Sequence, residues 1–157
     1  MAKPVDYNLV NPSRQFLSPQ TFLQIFGYHD DHERQYVKHI STLAGEDKVR
    51  IHMLTDATNT PIAFIALSFE TIANKPCLVV NYLFCSLPYR KICIDELSGK
   101  KISHHLLART IQIANEITPH VPIHYLALQP AHEKLERFYT DLGFTRLHNR
   151  EWMFLKI

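Results

Sequence analysis

Cys77-Leu78-Val79-Val80-Asn81-Tyr82-Leu83-Phe84-Cys85 is apolar except at Asn81, with adjacent valines and no polar alternation. A half-exposed strand would alternate, so this run suits a strand covered on both faces and belongs at the centre of a sheet. Before it in the chain, Val49, Ile51 and Met53 alternate with Arg50, His52 and Leu54, and a turn over Asp56 to Pro61 leads into Ile62 to Phe69: a hairpin. Two helices come earlier. Ser18-Pro19 opens the first, with Phe22, Ile25 and Phe26 on one face and Gly27 as its stop; Asp30-Asp31 caps the second, with Tyr36, Val37, Ile40 and Ala44 as its apolar face and Gly45 as its end. A short first strand fits near Asp6 to Val10.

After the central strand, Ile102, Leu106, Ile113 and Ile117 mark a helical stripe that Leu107, Ile111 and Ala114 widen, and Pro119 and Pro122 stop it. Ile123 to Leu128 reads as another strand. Ala131 to Leu142 reads as a helix with Leu135, Phe138, Tyr139 and Leu142 on one side and Gly143 as its stop; Phe144 to Leu147 and Glu151 to Ile157 make two strands around His148-Asn149. This order predicts an α/β chain, a mixed sheet with helices on both faces, in one domain over residues 1–157.

Composition narrows the function. The chain has 157 residues, 46% hydrophobic and 11% aromatic, which supports a sizeable core and excludes the disordered and collagen-like classes. Lys+Arg 17 against Asp+Glu 15 leaves a net charge of +2, far from the basic excess that signals nucleic-acid binding unaided. No apolar stretch follows Lys3 as in a signal peptide and none reaches a membrane span, so a cytoplasmic protein without membrane partners is expected. Cys77, Cys85 and Cys93 lack CxxC spacing and read as reduced core thiols. His29 and His32, His104 and His105, and His120 and His124 have no third ligand at a convincing interval, so no metal is expected.

Three pieces of the region from residue 48 onward resemble the GCN5-related N-acetyltransferase superfamily. Tyr82-Leu83-Phe84-Cys85-Ser86-Leu87-Pro88-Tyr89-Arg90 is similar to that family's fourth strand running to its P-x-Y-R turn. Ser98-Gly99-Lys100-Lys101-Ile102-Ser103-His104-His105-Leu106-Leu107 resembles its acetyl-CoA loop and following helix. Glu133 to Phe144 resembles its A-x-x-x-Y-x-x-x-G-F helix, and Trp152-Met153-Phe154-Leu155 its closing strand. Lys101 and Ser103 depart from the loop's small residues, Leu135 replaces a small residue before the tyrosine, and Lys91 to Leu97 looks inserted. A second register takes Ile92 to Asp95 as the fourth strand; the first matches over more positions.

The resemblance implies a mostly antiparallel sheet with a central, splayed parallel pair, and acetyl-CoA as acyl donor. It implies cofactor contacts at Leu83, Phe84 and Cys85, at Lys91, at Ser98, Gly99, Lys100, Lys101, Ile102 and Ser103, and at His132. The physical reading of the loop agrees: a helix start gathers backbone N–H donors and the positive end of a dipole for a pyrophosphate, with Lys91, Lys100 and Lys101 adding charge. Tyr139 matches the family's tyrosine that protonates the leaving thiolate, a task suited to a phenol that stays protonated at neutral pH. For the base that frees the amine, Glu70, Asp95 and Glu96 are candidates. Asn81 stands near where the family often holds a carboxylate, which leaves a water relay or no dedicated base open.

An acetyl-CoA-dependent N-acetyltransferase acting on a primary amine follows, the acceptor being a small molecule or peptide held between the leading helices and the last strands. A homodimer is compatible with it. Two alternatives stand beside it. The leading helices and the Glu133 to Phe144 helix also resemble acetyltransferase toxins that modify aminoacyl-tRNA, although that subgroup's loop glycines are missing, and a glycine-poor loop also suits a non-catalytic CoA-binding module.

Overall fold

A computed structural model describes residues 8–10, 12, 19–56, 58–90, 93–94, 100–130, 133–146 and 151–157. Its strands are β1 (Asn8–Val10), β2 (Arg50–Thr55), β3 (Pro61–Ile72), β4 (Lys75–Cys85), β5 (Cys93–Ile94), β6 (Lys100–Lys101), β7 (Tyr125–Leu128), β8 (Thr145–Arg146) and β9 (Met153–Lys156). Its helices are α1 (Pro19–Phe22), α2 (Asp31–Gly45), α3 (Ile102–Ile117) and α4 (Glu133–Asp141), with a 3-10 turn over Leu87–Tyr89. Seven strands form one sheet in the order β1-β2-β3-β4-β7-β9-β8, and β5 and β6 pair separately. β4 is thus central, as its composition requires. The β4/β7 pair is parallel, while β1/β2, β7/β9 and β8/β9 are antiparallel.

The chain divides into two compact units, Met1–Ala66 with Tyr82–Ala108, and Leu67–Asn81 with Arg109–Ile157. In the first, Val37, Ile40 and Ala44 of α2 pack with Ile51, Met53, Phe64 and Phe84 of the strands and with Phe22 and Phe26. The rings of Phe22, Phe26, Phe64 and Phe84 meet edge-on or tilted at 5.3 to 5.7 Å, a spacing that adds to their burial. In the second, Cys77, Val79, Ala127 and Phe154 form a cluster flanked by Ile72, Tyr125 and Trp152. From Ile62 to Leu67 every β3 side chain is buried, so both faces are covered there.

Several local expectations change. The first helix is a single turn, and Gly27 is not its stop. Gly27 N–H donates to Ser86 Oγ at 2.7 Å, its carbonyl accepts from Leu87 N–H at 3.0 Å, and a Cβ there would lie 3.1 Å from Pro88 Cδ. The glycine is therefore needed for close approach to the end of β4. α2 begins as read, with Asp30 Oδ1 accepting from Glu33 N–H at 2.8 Å and Glu33 Oε1 accepting from His29 N–H at 3.0 Å, a reciprocal cap. Past its end, Asp47 rather than Gly45 takes the left-handed backbone, at φ 60. Tyr36, read as core, is exposed and rests on Tyr82 at 4.6 Å. Leu54, read as outward, is fully buried, and Met53 and Thr55 on either side of it are buried too, so both faces of β2 are covered at its end.

A two-residue turn at Ala73 and Asn74, both at positive φ, joins β3 to β4, and such a turn matches the twist of an antiparallel hairpin. Counted back from it, Ile62 stands opposite Cys85 in an unbroken ladder. Its carbonyl instead accepts from Ser86 N–H at 2.9 Å. β4 therefore holds one residue more than β3, a β-bulge. It falls between Val79, which packs with Cys77 and Ile72, and Phe84, whose ring meets Phe64 at 5.4 Å.

Candidate active site

The parallel ladder runs from Cys77↔Tyr125 to Val80↔Leu128 and ends there, while β4 continues to Cys85. The ladder therefore ends before Leu83, and the bulge lies in the same middle part of β4. Leu83 and Cys85 are half-buried, whereas the Phe84 ring is 2% exposed in the aromatic cluster and leaves only its backbone for a ligand. Burial pushes the Cys85 thiol up to about 11, against the opposing pull of Arg90, which fits a packed thiol better than a nucleophile.

The segment after β4 is held from two sides. Arg90 Nε donates to Cys85 O at 2.7 Å, its guanidinium lies 5.3 Å from the centre of the Phe84 ring, and its other arm pairs with Glu33 of α2. The structure bears on register as well: among the described residues, Cys93–Ile94 pairs with Lys100–Lys101 in a separate two-stranded sheet and not with the main one, which favours the first register. Lys100 and Lys101, expected in an open loop, are a short strand running directly into α3. Ile102, the first residue of α3, is 1% exposed, so it offers a ligand its backbone and not its side chain; Ser103 is half-buried. Lys91, Asp95, Glu96, Ser98, Gly99 and His132 lie outside the described residues.

Tyr139 sits near the end of α4, 9% exposed, its ring 5.3 Å from Phe138 and 5.9 Å from Phe144. Desolvation raises the pKa of its phenol, which holds the proton at neutral pH. The stop after it explains the Gly143-Phe144 pattern. Gly143 takes φ 103, Phe144 N–H returns to Tyr139 O at 3.1 Å, and Phe144 folds back onto the tyrosine ring. Arg146 of β8 bonds Glu136 of α4 at 2.5 Å and ties the helix to the strand that follows.

Glu70 lies exposed on β3. Ser68 Oγ donates to its Oε2 at 3.0 Å, and Asn81 Nδ2 donates to Ser68 Oγ at 2.8 Å. The structure thus brings Asn81 and Glu70 together through Ser68, a residue the sequence did not single out; counted from the Ala73–Asn74 turn, Ser68 stands opposite Val79 and Asn81 reaches it diagonally. No hydrogen bond among the described residues joins Glu70 to Tyr139. Among them, no three His, Cys, Asp or Glu side chains are arranged to hold a metal, and no helix is long and apolar enough to cross a membrane.

No protein-family model matches the chain, and no curated protein matches it. Solved structures do. AtaTR bound with AcCoA shares 17% identity at a TM-score of 0.74, covering 98% of this chain and 93% of that one. A mutant of the AtaT toxin bound to the C-terminus of the antitoxin AtaR shares 15% at 0.72, covering 98% and 94%. AtaT complexed with acetyl-methionyl-tRNAfMet shares 15% at 0.70, covering 97% and 94%. Identities this low carry the architecture alone, and the chain has the GCN5-related N-acetyltransferase fold that its later two-thirds resemble.

Proposed function

We propose that the chain is an acetyl-CoA-dependent N-acetyltransferase that passes the acetyl group directly to a primary amine. The observation that carries this reading is the β4/β7 ladder, which ends at Val80↔Leu128 while β4 runs on to Cys85, in a fold shared over nearly its whole length with a structure bound with AcCoA. Backbone groups of Leu83, Phe84 and Cys85 are suited to the pantetheine amides, and the N–H groups at the start of α3, with Lys100 and Lys101 beside them, to the pyrophosphate. The amine nitrogen forms a bond to the thioester carbonyl carbon and the carbon–sulfur bond breaks. Tyr139 gives its proton to the departing thiolate, and Glu70 takes the proton that the amine loses.

A second reading makes the amine the α-amino group of an aminoacyl-tRNA. It is favoured by one neighbour, AtaT, being complexed with acetyl-methionyl-tRNAfMet, and it adds nucleic acid as a partner. One experiment tests both. Acetyl-CoA is titrated calorimetrically, and thiol release is then followed with methionyl-tRNA and with a panel of small amines. Binding with release is expected. Binding without release from any acceptor leaves a CoA-binding module, and absence of binding overturns the proposal.

A further inference from the structure

We infer that Asn81, Ser68 and Glu70 seat the charged head of the acceptor, so that it binds as a protonated primary amine. This rests on the transferase reading above and deepens it. The hydrogen-bond directions are fixed by chemistry. The Val79 carbonyl can only accept, so the Asn81 group 3.3 Å from it is the NH2; the same NH2 donates to Ser68 Oγ. The Ser68 hydrogen is then left for Glu70 Oε2, since a carboxylate only accepts. Asn81 has spent both of its hydrogens. Its Oδ1 accepts from no other described residue, and Glu70 stands exposed with a second oxygen of its own.

Two acceptors on adjacent strands, one anionic, are complementary to an ammonium, which brings three N–H donors and a positive charge. A neutral hydroxyl or amide brings fewer donors and no charge. The place is suitable as well: Asn81 is the first β4 residue beyond the last rung of the parallel ladder, Val80↔Leu128. Ser68 is a positioning residue here, holding the Glu70 carboxylate by one hydrogen bond and the Asn81 amide by another.

The probes are methionyl-tRNA and spermidine, with acetyl-CoA affinity measured on the same preparations. Glu70→Gln and Asn81→Leu are each expected to raise the KM of an accepted probe about ten-fold or more, the scale of losing a hydrogen bond to a charged group. Acetyl-CoA affinity should stay within about two-fold, because neither side chain is assigned to the cofactor. Ser68→Ala should raise KM and Ser68→Thr, which keeps the hydroxyl, should restore it. A purely structural role would shift the melting midpoint and leave KM per folded molecule unchanged, and that result overturns the inference. The Asn81 side-chain amide resonances, followed as spermidine is titrated, read the same contact without turnover. Acetyl-CoA binding with no resonance shift and no KM change sinks this inference alone, whereas absence of acetyl-CoA binding sinks the reading beneath it.

Discussion

Tyr139 is buried in the core, and burial only raises further the pKa of a phenol already protonated at neutral pH, so its ring and its hydroxyl must be separated by experiment. Tyr139→Phe keeps the ring against Phe138 and Phe144 and removes only the oxygen. Turnover should fall roughly 10²–10⁴-fold, the worth of a positioned general acid, while acetyl-CoA affinity and melting midpoint hold. Steady-state thiol release and a thermal melt on one preparation decide it. Ala73 offers a test of backbone alone. It sits at φ 50, where an L side chain is strained, so Ala73→Gly should stabilise the fold by up to about 1 kcal/mol, net of the entropy glycine restores to the unfolded chain. A denaturant midpoint that moved down would refute the strain. Single residues were unevenly legible. Tyr139 stood in a spaced pattern with Gly143-Phe144, whereas Gly27 was misread because a glycine chosen for close approach looks like one chosen for a helix end. Ser68 showed nothing until the structure placed it within diagonal reach of the Asn81 side chain.

The elements were read best where periodicity was long. α2 and α3 emerged close to their limits because each repeats its apolar spacing over several turns, and β4 because its apolar run is continuous. α1 shrank to one turn because the chain after Phe22 is drawn toward Ser86 and Leu87, a tertiary demand that propensity does not show. The β4 bulge was invisible for a similar reason, since an uninterrupted apolar run hides a change of face. The Glu33–Arg90 pair links the start of α2 to the turn after β4, with side chains only 21% and 28% exposed. Arg90→Met should therefore cost about 1.5–3 kcal/mol, the range for a hydrogen bond to a charged group, against the few tenths expected of an open surface pair. A double-mutant cycle with Glu33→Gln, read by chemical unfolding, should return a coupling well above zero; additive losses would make the pair incidental.

At the scale of the whole molecule, fold class followed from element order and the apolar centre of β4, while the strand sequence across the sheet did not. Nothing in a single chain says that β9 lies between β7 and β8. Titration is also a property of the whole. Burial pushes the thiol of Cys85 from 9.0 up to about 11 and the phenol of Tyr28 from 10.0 up to about 12, and it raises Cys77, Tyr82 and Tyr139 too. The folded chain thus keeps protons that the unfolded chain releases, and stability must fall as pH rises through each window. The melting midpoint should be flat near neutrality and decline above about pH 9, with Cys85→Ser removing the part of the decline that starts at the thiol. A midpoint unchanged to pH 11 would contradict this burial.

The parallel pairing of β4 with β7 has a consequence in time. The β3–β4 hairpin closes over two residues, but residue 77 meets residue 125 across a stretch that includes all of α3, and so long a loop is slow to close. The hairpin should accordingly be present in the folding transition state and the parallel rungs should form after it. In stopped-flow measurements, Ala73→Gly should act mainly on the refolding rate, and Leu126→Ala, which empties a fully buried site on β7, mainly on the unfolding rate.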